Sequence, residues 1–115
     1  MNTAPPFPHD ENGQVLRQMY EGGDDLTQSR LVDFCFIFPD REQALAFIRD
    51  VDDQDVEACL SWYGEKSSWQ VIVKRDMVPS HTNITALEAN LTLKAKNVGG
   101  AADGWGCMQV PSASQ

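Results

Sequence analysis

Residues 30–38 constrain the fold more than any other segment, because the run Arg-Leu-Val-Asp-Phe-Cys-Phe-Ile-Phe is aromatic and β-branched on both faces. Such a segment is typical of a central strand of a sheet, and only Asp33 interrupts it. Pro39 ends the strand, and Asp40 is a natural helix N-cap with Gln43 three residues later as its capping-box partner. The sequence therefore predicts a central strand that passes directly into an amphipathic helix.

Hydrophobic periodicity predicts two further helices and three further strands. The helices fall at about residues 12–21 and 83–97, and the strands at 56–63, at 69–75 and, as a short final strand, at 104–110. The turn at 64–67 joins the second and third strands so closely that they must pair antiparallel.

This order of elements predicts an α+β protein of the ferredoxin-like βαββαβ sandwich type, with an extra N-terminal helix. Two helices would cover one face of a four-stranded antiparallel sheet, with the first and third strands in its centre. The other sheet face would be open, and the extra helix is a candidate lid over it. We expect one domain at residues 12–110, with flexible tails at 1–11 and 111–115.

The net charge of −8 is unevenly distributed. Residues 1–57 carry 13 acidic and 4 basic side chains, whereas residues 58–115 carry 4 acidic and 5 basic side chains. An acidic surface repels phosphate, so direct nucleic-acid binding is disfavoured, and the aromatic residues Trp62, Tyr63 and Trp69 are interpreted as cross-strand packing. Such a surface would instead attract a basic protein segment.

Cysteine usage and the absence of targeting signals predict a soluble cytoplasmic protein. Cys35, Cys59 and Cys107 are odd in number, widely separated and without nearby histidine, which favours free thiols in a reducing compartment. The N-terminus has no signal-peptide pattern, and no apolar run approaches the roughly 18 residues of a membrane span.

Catalytic and metal sites are not expected. The only histidines are His9, in the predicted tail, and His81, at a helix start, so no nucleophile has an obvious base beside it. The four aspartates in residues 50–55 lack the glycine and the terminal glutamate of a calcium-binding loop. We therefore predict a protein that is not an enzyme and has no cofactor.

Residues 98–107 concentrate four glycines and one tryptophan after the last predicted helix. Gly99 and Gly100 can supply the positive φ that ends a helix, and a tight turn at residues 103–104 would deliver Trp105 onto the final strand. Trp105 is either a core anchor or, together with Asp103, part of a recognition surface.

The chain resembles the RraB family, protein regulators of ribonuclease E, over about residues 12–108. The residues that carry the resemblance are Val32-Asp33-Phe34 running into Phe38-Pro39-Asp40-Arg41, the Trp69 strand, and Gly99-Gly100 followed by Asp103-Gly104-Trp105-Gly106. The resemblance implies a bacterial, ferredoxin-like α/β sandwich that binds the non-catalytic scaffold region of ribonuclease E and alters RNA degradation without cutting RNA. The best-known members carry a long acidic C-terminal tail, whereas here the acidic residues lie mostly in the N-terminal half.

We therefore predict a non-enzymatic regulatory protein, monomeric or weakly dimeric, whose acidic surface binds a basic segment of a ribonuclease. The predicted contact residues are Asp24, Asp25, Asp33, Asp103 and Trp105. In this interpretation the indole supplies apolar contact area and the carboxylates accelerate association.

Two other functions remain open at the level of sequence. In the first, the open sheet face holds a small molecule or a metal around Asp33, Cys35, Trp105 and Cys107. Alternatively, the domain is a dimerisation module that closes its open sheet on a partner sheet.

Overall fold

The computed structural model describes residues 7–52 and 55–110. Its elements are helix α1 (Glu11–Glu21), strand β1 (Arg30–Phe38), helix α2 (Arg41–Val51), strand β2 (Glu57–Tyr63), strand β3 (Ser68–Met77), helix α3 (His81–Asn97) and strand β4 (Ala101–Cys107). A short 3₁₀ turn, Gly64–Lys66, joins β2 to β3. None of the helices in these two ranges is long and apolar enough to cross a membrane. The predicted tail segments 1–6 and 111–115, and Asp53 of the aspartate-rich loop, lie outside the described residues.

Each helix begins after a residue whose side-chain oxygen accepts a hydrogen bond from a backbone N–H three positions later. These caps are Asp10 for α1, Asp40 for α2 and Ser80 for α3. Such a bond satisfies one of the N–H groups that the first helical turn leaves without a partner. Ser80 therefore starts α3 at His81, two residues before the predicted start.

The four strands form one antiparallel sheet in the order β2-β3-β1-β4. The predicted central positions of the first and third strands are confirmed. β1 has nine consecutive partners on β3, from Arg30 opposite Met77 to Phe38 opposite Trp69. This full-length pairing extends β3 two residues beyond its predicted end at Arg75.

The core lies on one face of the sheet, beneath α2 and α3. Alternate β1 residues, Val32, Phe34, Phe36 and Phe38, are buried there, together with Val71 and Val73 of β3. α2 contributes Ala44, Phe47 and Val51, and α3 contributes Ile84, Leu87, Leu91 and Ala95. The opposite sheet face carries the intervening residues and is covered by none of the described helices.

α1 packs on the core side of the sheet, beside α3, so the expectation that it covers the opposite face is wrong. Leu16 of α1 is buried, and Asn12 donates hydrogen bonds to Thr85 Oγ1 (3.2 Å) and Glu88 Oε1 (3.0 Å) of α3. α1 lies on this side because Trp105 and Cys107 of β4 pack against the core cluster at the edge of the sheet and leave an apolar surface there. α1 covers this apolar edge of the sheet.

β4 begins at Ala101, three residues before the predicted final strand, and contains a β-bulge. Its register with β1 changes between Trp105, opposite Phe34, and Ala102, opposite Phe36. The extra residue falls at Asp103 and Gly104, and Gly104 has a φ of +101°. The Asp-Gly pair is therefore a bulge inside the strand rather than the predicted turn before it.

Candidate functional site

The bulge in β4 separates the side chains of Asp103 and Trp105. Trp105 lies opposite the buried Phe34, so its indole is on the core side and packs against the core cluster while remaining half-buried. Its Nε1 donates a 2.8 Å hydrogen bond to Asn12 Oδ1 of α1. The indole therefore anchors the edge of the core and also borders the surface.

A groove of about 470 Å³ runs between α1, α3 and β4. We call it the acidic groove; it is lined by Glu11, Asn12, Val15, Glu88, Ala102, Asp103, Gly104 and Trp105. Three of these residues carry carboxylates, and none of the described lining residues is basic. A concave site lined by one sign of charge focuses the field and concentrates cations, here beside an aromatic ring.

Asn12 organises one wall of the acidic groove. Its side-chain oxygen accepts the Trp105 N–H, while its NH₂ group donates to Thr85 and Glu88. The three bonds tie α1, α3 and β4 together at one point. Asn12 consequently fixes the position of the Glu88 carboxylate relative to the indole ring.

Asp103 forms an ion pair at the rim of the acidic groove. Lys66, from the turn between β2 and β3, donates a 2.7 Å hydrogen bond to Asp103 Oδ1, and this bond raises the pKa of the lysine. Both side chains remain accessible to solvent. Exposed pairs of this kind contribute little to stability, so an incoming cation can displace Lys66 at small cost.

Asp24 is buried, unlike the other predicted contact residues. Its side chain has no exposed surface and pairs with Arg30 Nη1 at 2.8 Å. Arg30 also donates to the backbone carbonyls of Asp25, Gln28 and Met108. The pair joins the segment between α1 and β1 to the residues that follow β4.

Asp25 folds the same segment into a local turn at the surface. Its carboxylate accepts hydrogen bonds from the hydroxyl and the N–H of Thr27 and from the amide of Gln28. These bonds hold the pKa of Asp25 below its usual value, and the bond from the Thr27 hydroxyl has the largest effect. The carboxylate is therefore charged at neutral pH, but it is not among the residues that line the acidic groove.

Asp33 belongs to the open sheet face, opposite Lys74 of β3 and Gly106 of β4. It lines a second groove, of about 550 Å³, together with Leu31, Cys35 and Asp103. Of the five predicted contacts, Asp103 and Trp105 line the acidic groove, and Asp33, Asp103 and Trp105 line the second groove.

The four residues proposed for a ligand or metal on the open face, Asp33, Cys35, Trp105 and Cys107, all line the second groove. Asp33 and Cys35 belong to the open face, whereas the register places Trp105 opposite Phe34 and Cys107 opposite Val32, so these two residues border the groove from β4 with side chains on the core side. No group of three metal-ligating side chains occurs among residues 7–52 and 55–110. His81 Nε2 lies 2.9 Å from Asp10 Oδ2 and 3.4 Å from Thr85 Oγ1.

Sequence reasoning missed Glu11, Asn12 and Glu88. The sequence predicts that Glu11 belongs to the N-terminal tail and that Asn12 and Glu88 are ordinary helix residues. Helical spacing alone places Glu88 on the same face as Thr85, but it does not say that this face meets α1. No signal in the sequence distinguishes that face from the rest of the α3 surface.

The cysteines should differ in reactivity. Burial raises the pKa of the Cys35 thiol, the carboxylates of Asp33 and Asp103 raise it further, and burial likewise raises the pKa of Cys107. Cys59 is exposed. We expect iodoacetamide at pH 7.5 to alkylate Cys59 at least about tenfold faster than the other two, measured by peptide mass spectrometry. Faster labelling of Cys35 would instead indicate a stabilised thiolate, as in a catalytic cysteine.

Comparison with known proteins gives one result for the whole domain. No curated protein matches the chain. One family model, described as Regulator of ribonuclease activity B, matches residues 9–107, a range that includes every element from α1 to β4. The chain therefore belongs to the RraB family.

Proposed function

We propose that this protein regulates a ribonuclease by binding it, without catalysis, and that the acidic groove is where a basic segment of the ribonuclease docks. The family supports regulation of ribonuclease activity. The observation that supports the docking site is a groove whose described lining contains Glu11, Glu88, Asp103 and the Trp105 indole but no basic residue, although Asp103 is paired with Lys66 at the rim. The scaffold region of ribonuclease E is the proposed partner, and the cytoplasm the proposed location.

We also infer that the architecture is the ferredoxin-like sandwich. The central β1 and β3 and the placement of α2 and α3 on one face support this inference. In this plan α1 is an addition that widens the helical layer to reach β4. The acidic groove would then be a feature of the added helix rather than of the sandwich alone.

A lysine or arginine of the partner would enter the groove between the carboxylates and the indole. Charge attraction accelerates the encounter, and removal of water from Trp105 contributes apolar contact. The Debye length is about 8 Å at physiological ionic strength, so rim charges act over a short range and salt weakens them.

The predicted contacts take different positions in this proposal. Trp105 and, at the rim, Asp103 line the acidic groove, while Asp33 and Asp25 are charges outside it that steer the partner. Direct contact with Asp24 would require breaking its buried pair with Arg30. Asp24 therefore contributes by holding together the loop beside α1.

Charge neutralisation inside and outside the groove tests the proposal. The groove variant is Glu11→Gln/Glu88→Gln/Asp103→Asn, and the matched control is Glu21→Gln/Glu42→Gln/Glu65→Gln, which removes three charges from exposed positions elsewhere. Binding to the isolated ribonuclease E scaffold region is measured by calorimetry at low and physiological salt. We expect about a tenfold or larger loss of affinity for the groove variant, and less than about threefold for the control.

Regulation is measured on intact ribonuclease E with a fluorogenic RNA substrate. The wild-type protein is expected to lower the cleavage rate, and the groove variant to do so only at higher concentration. Equal losses in both variants would show that net charge alone matters and would reject the groove. No binding and no inhibition by the folded wild-type protein would reject the regulatory function itself.

A further inference from the structure

β2 is an edge strand without the usual protection against pairing with another strand. All seven of its residues pair in unbroken register with β3, from Glu57 opposite Lys74 to Tyr63 opposite Ser68. The strand contains no proline, glycine or bulge, and Glu57 is its single charge. β4, at the opposite edge, is interrupted by its bulge. Edges as regular as β2 present a row of unpaired backbone groups.

An exposed tryptophan is fixed beside this edge. Trp62 is 55% exposed, which is unusual for an indole in a strand. Its ring meets Trp69 edge-on, with centroids 5.3 Å apart and an interplanar angle of 67°. An indole held in this way loses little conformational freedom on binding, as interface anchors require.

We propose that a second copy of this chain pairs with β2, strand to strand. A two-fold axis perpendicular to the sheet at Leu60 makes the two β2 strands antiparallel and keeps all helices on the same side. The two sheets then form one continuous sheet of eight strands. This register is the one that pairs all seven residues of each strand.

The side chains match in this register. On the core side, Trp62 of each copy lies over the small Ala58 of the other, and the two Leu60 side chains meet at the axis. On the open side, Cys59 lies opposite Ser61. These are large-on-small and apolar-on-apolar pairs, and no like charges face each other.

The ends of the strand bring no like charges together. Glu57 of one copy lies opposite the neutral Tyr63 of the other, and Lys66, whose Nζ is 5.8 Å from the Tyr63 ring centroid, stays paired with Asp103 of its own chain. The two-fold axis repeats this arrangement at both ends of the interface. Because every residue of β2 meets a compatible residue of the same strand in this register, a second copy is favoured over an unrelated strand.

The association should be weak and concentration-dependent. One pair of seven-residue strands with two indoles buries less surface than the roughly 1,200–2,000 Å² of stable interfaces. The inference is independent of the ribonuclease contact, because the acidic groove lies at the β4 edge. It also differs from a dimer that closes one open sheet face on another.

Sedimentation equilibrium of the full chain, from about 10 μM to 1 mM, tests the dimer. The wild-type average mass should rise toward twice the monomer mass. Ser61→Glu, at an exposed position, places a carboxylate diagonally against Glu57 of the other copy and should weaken dimerisation at least tenfold. Gln70→Glu adds the same charge to the same sheet face, but on β3 instead of the edge strand β2. It should change the dissociation constant of the dimer by less than about threefold.

Cross-linking tests the register. Ser61→Cys should form a covalent dimer with Cys59 of the second copy under mild oxidation, and Ser68→Cys, one strand inward, should not. A wild-type protein that stays monomeric at 1 mM, equal weakening by Ser61→Glu and Gln70→Glu in folded proteins, or equal cross-linking by the two cysteine variants would overturn the proposal. Unfolded variants are identified by circular dichroism and replaced by Ser61→Asp.

Discussion

Replacing Asp24 with alanine is expected to lower the free energy of unfolding by about 3–5 kcal/mol, measured by urea denaturation at pH 7. The substitution leaves the Arg30 guanidinium buried without its counter-charge, 2.8 Å from where the carboxylate stood. It also removes the acceptor of the Val110 N–H, which anchors the chain after β4. A buried charge that has lost its partner keeps its full desolvation cost.

Two further variants separate the ion pair from other effects. Asp24→Asn keeps a hydrogen-bond acceptor but loses the charge. Its free energy of unfolding should therefore lie between those of the wild-type protein and Asp24→Ala. The double variant Asp24→Leu/Arg30→Met removes both charges and should be more stable than Asp24→Ala, although three carbonyls lose their donor. A loss below about 1 kcal/mol for Asp24→Ala would show that water reaches Arg30 and that the pair is not buried in solution.

Gly100→Ala is expected to lower the free energy of unfolding by about 1–3 kcal/mol or more, because the added methyl group crowds the core. A Cβ at this position would lie 2.3 Å from Phe38 Cε2 and 2.5 Å from Cδ2, and 3.0 Å from the carbonyl oxygen of Ile37. Phe38 is fully buried against α2, so its ring has little space into which to move. Thermal and urea unfolding of the purified variant measure the loss.

Two glycines in β4 provide the controls for Gly100→Ala. Gly106→Ala should be close to neutral, because its φ is ordinary and nothing lies within 4 Å of its Cβ position. Gly104→Ala has equally open space but a φ of +101°, so it should cost about 1–2 kcal/mol through backbone strain alone. If Gly100→Ala matched Gly106→Ala, β1 would have to shift at Phe38, and the contact between β1 and α3 would be looser than described.

Local sequence signals predicted most of the secondary structure. β1 was predicted with its observed ends because the apolar run stops at Pro39, and α2 begins after the predicted cap, Asp40. These features depend on residues that are close in sequence. The central positions of β1 and β3 followed from the order of elements and the hairpin at 64–67.

Features that depend on contacts distant in sequence were not predictable. The side of the sheet that Trp105 occupies depends on a bulge two residues earlier, and a bulge exchanges the two faces of a strand. The position of α1 follows from that choice, because the helix covers Trp105. Asp24 was predicted at the surface because nothing in the sequence indicates that Arg30 is itself buried.

Gly100 shows how one residue type meets two different requirements. The sequence assigned Gly99 and Gly100 the same role, to end α3 with positive φ. Gly99 does have a φ of +89°, whereas Gly100 is required because the Phe38 ring occupies the space of a side chain. The first requirement is a property of the local backbone, and the second exists only after β1 and the end of α3 have met.

The central position of β1 has a consequence for biosynthesis. Among the described elements β1 is the second to be translated, but its two neighbours, β3 and β4, are translated later, and β4 is the last of those elements. Until then, the aromatic segment 34–38 has neither edge paired and is a potential site of aggregation. Chaperone demand during translation should therefore peak between the synthesis of β1 and that of β4.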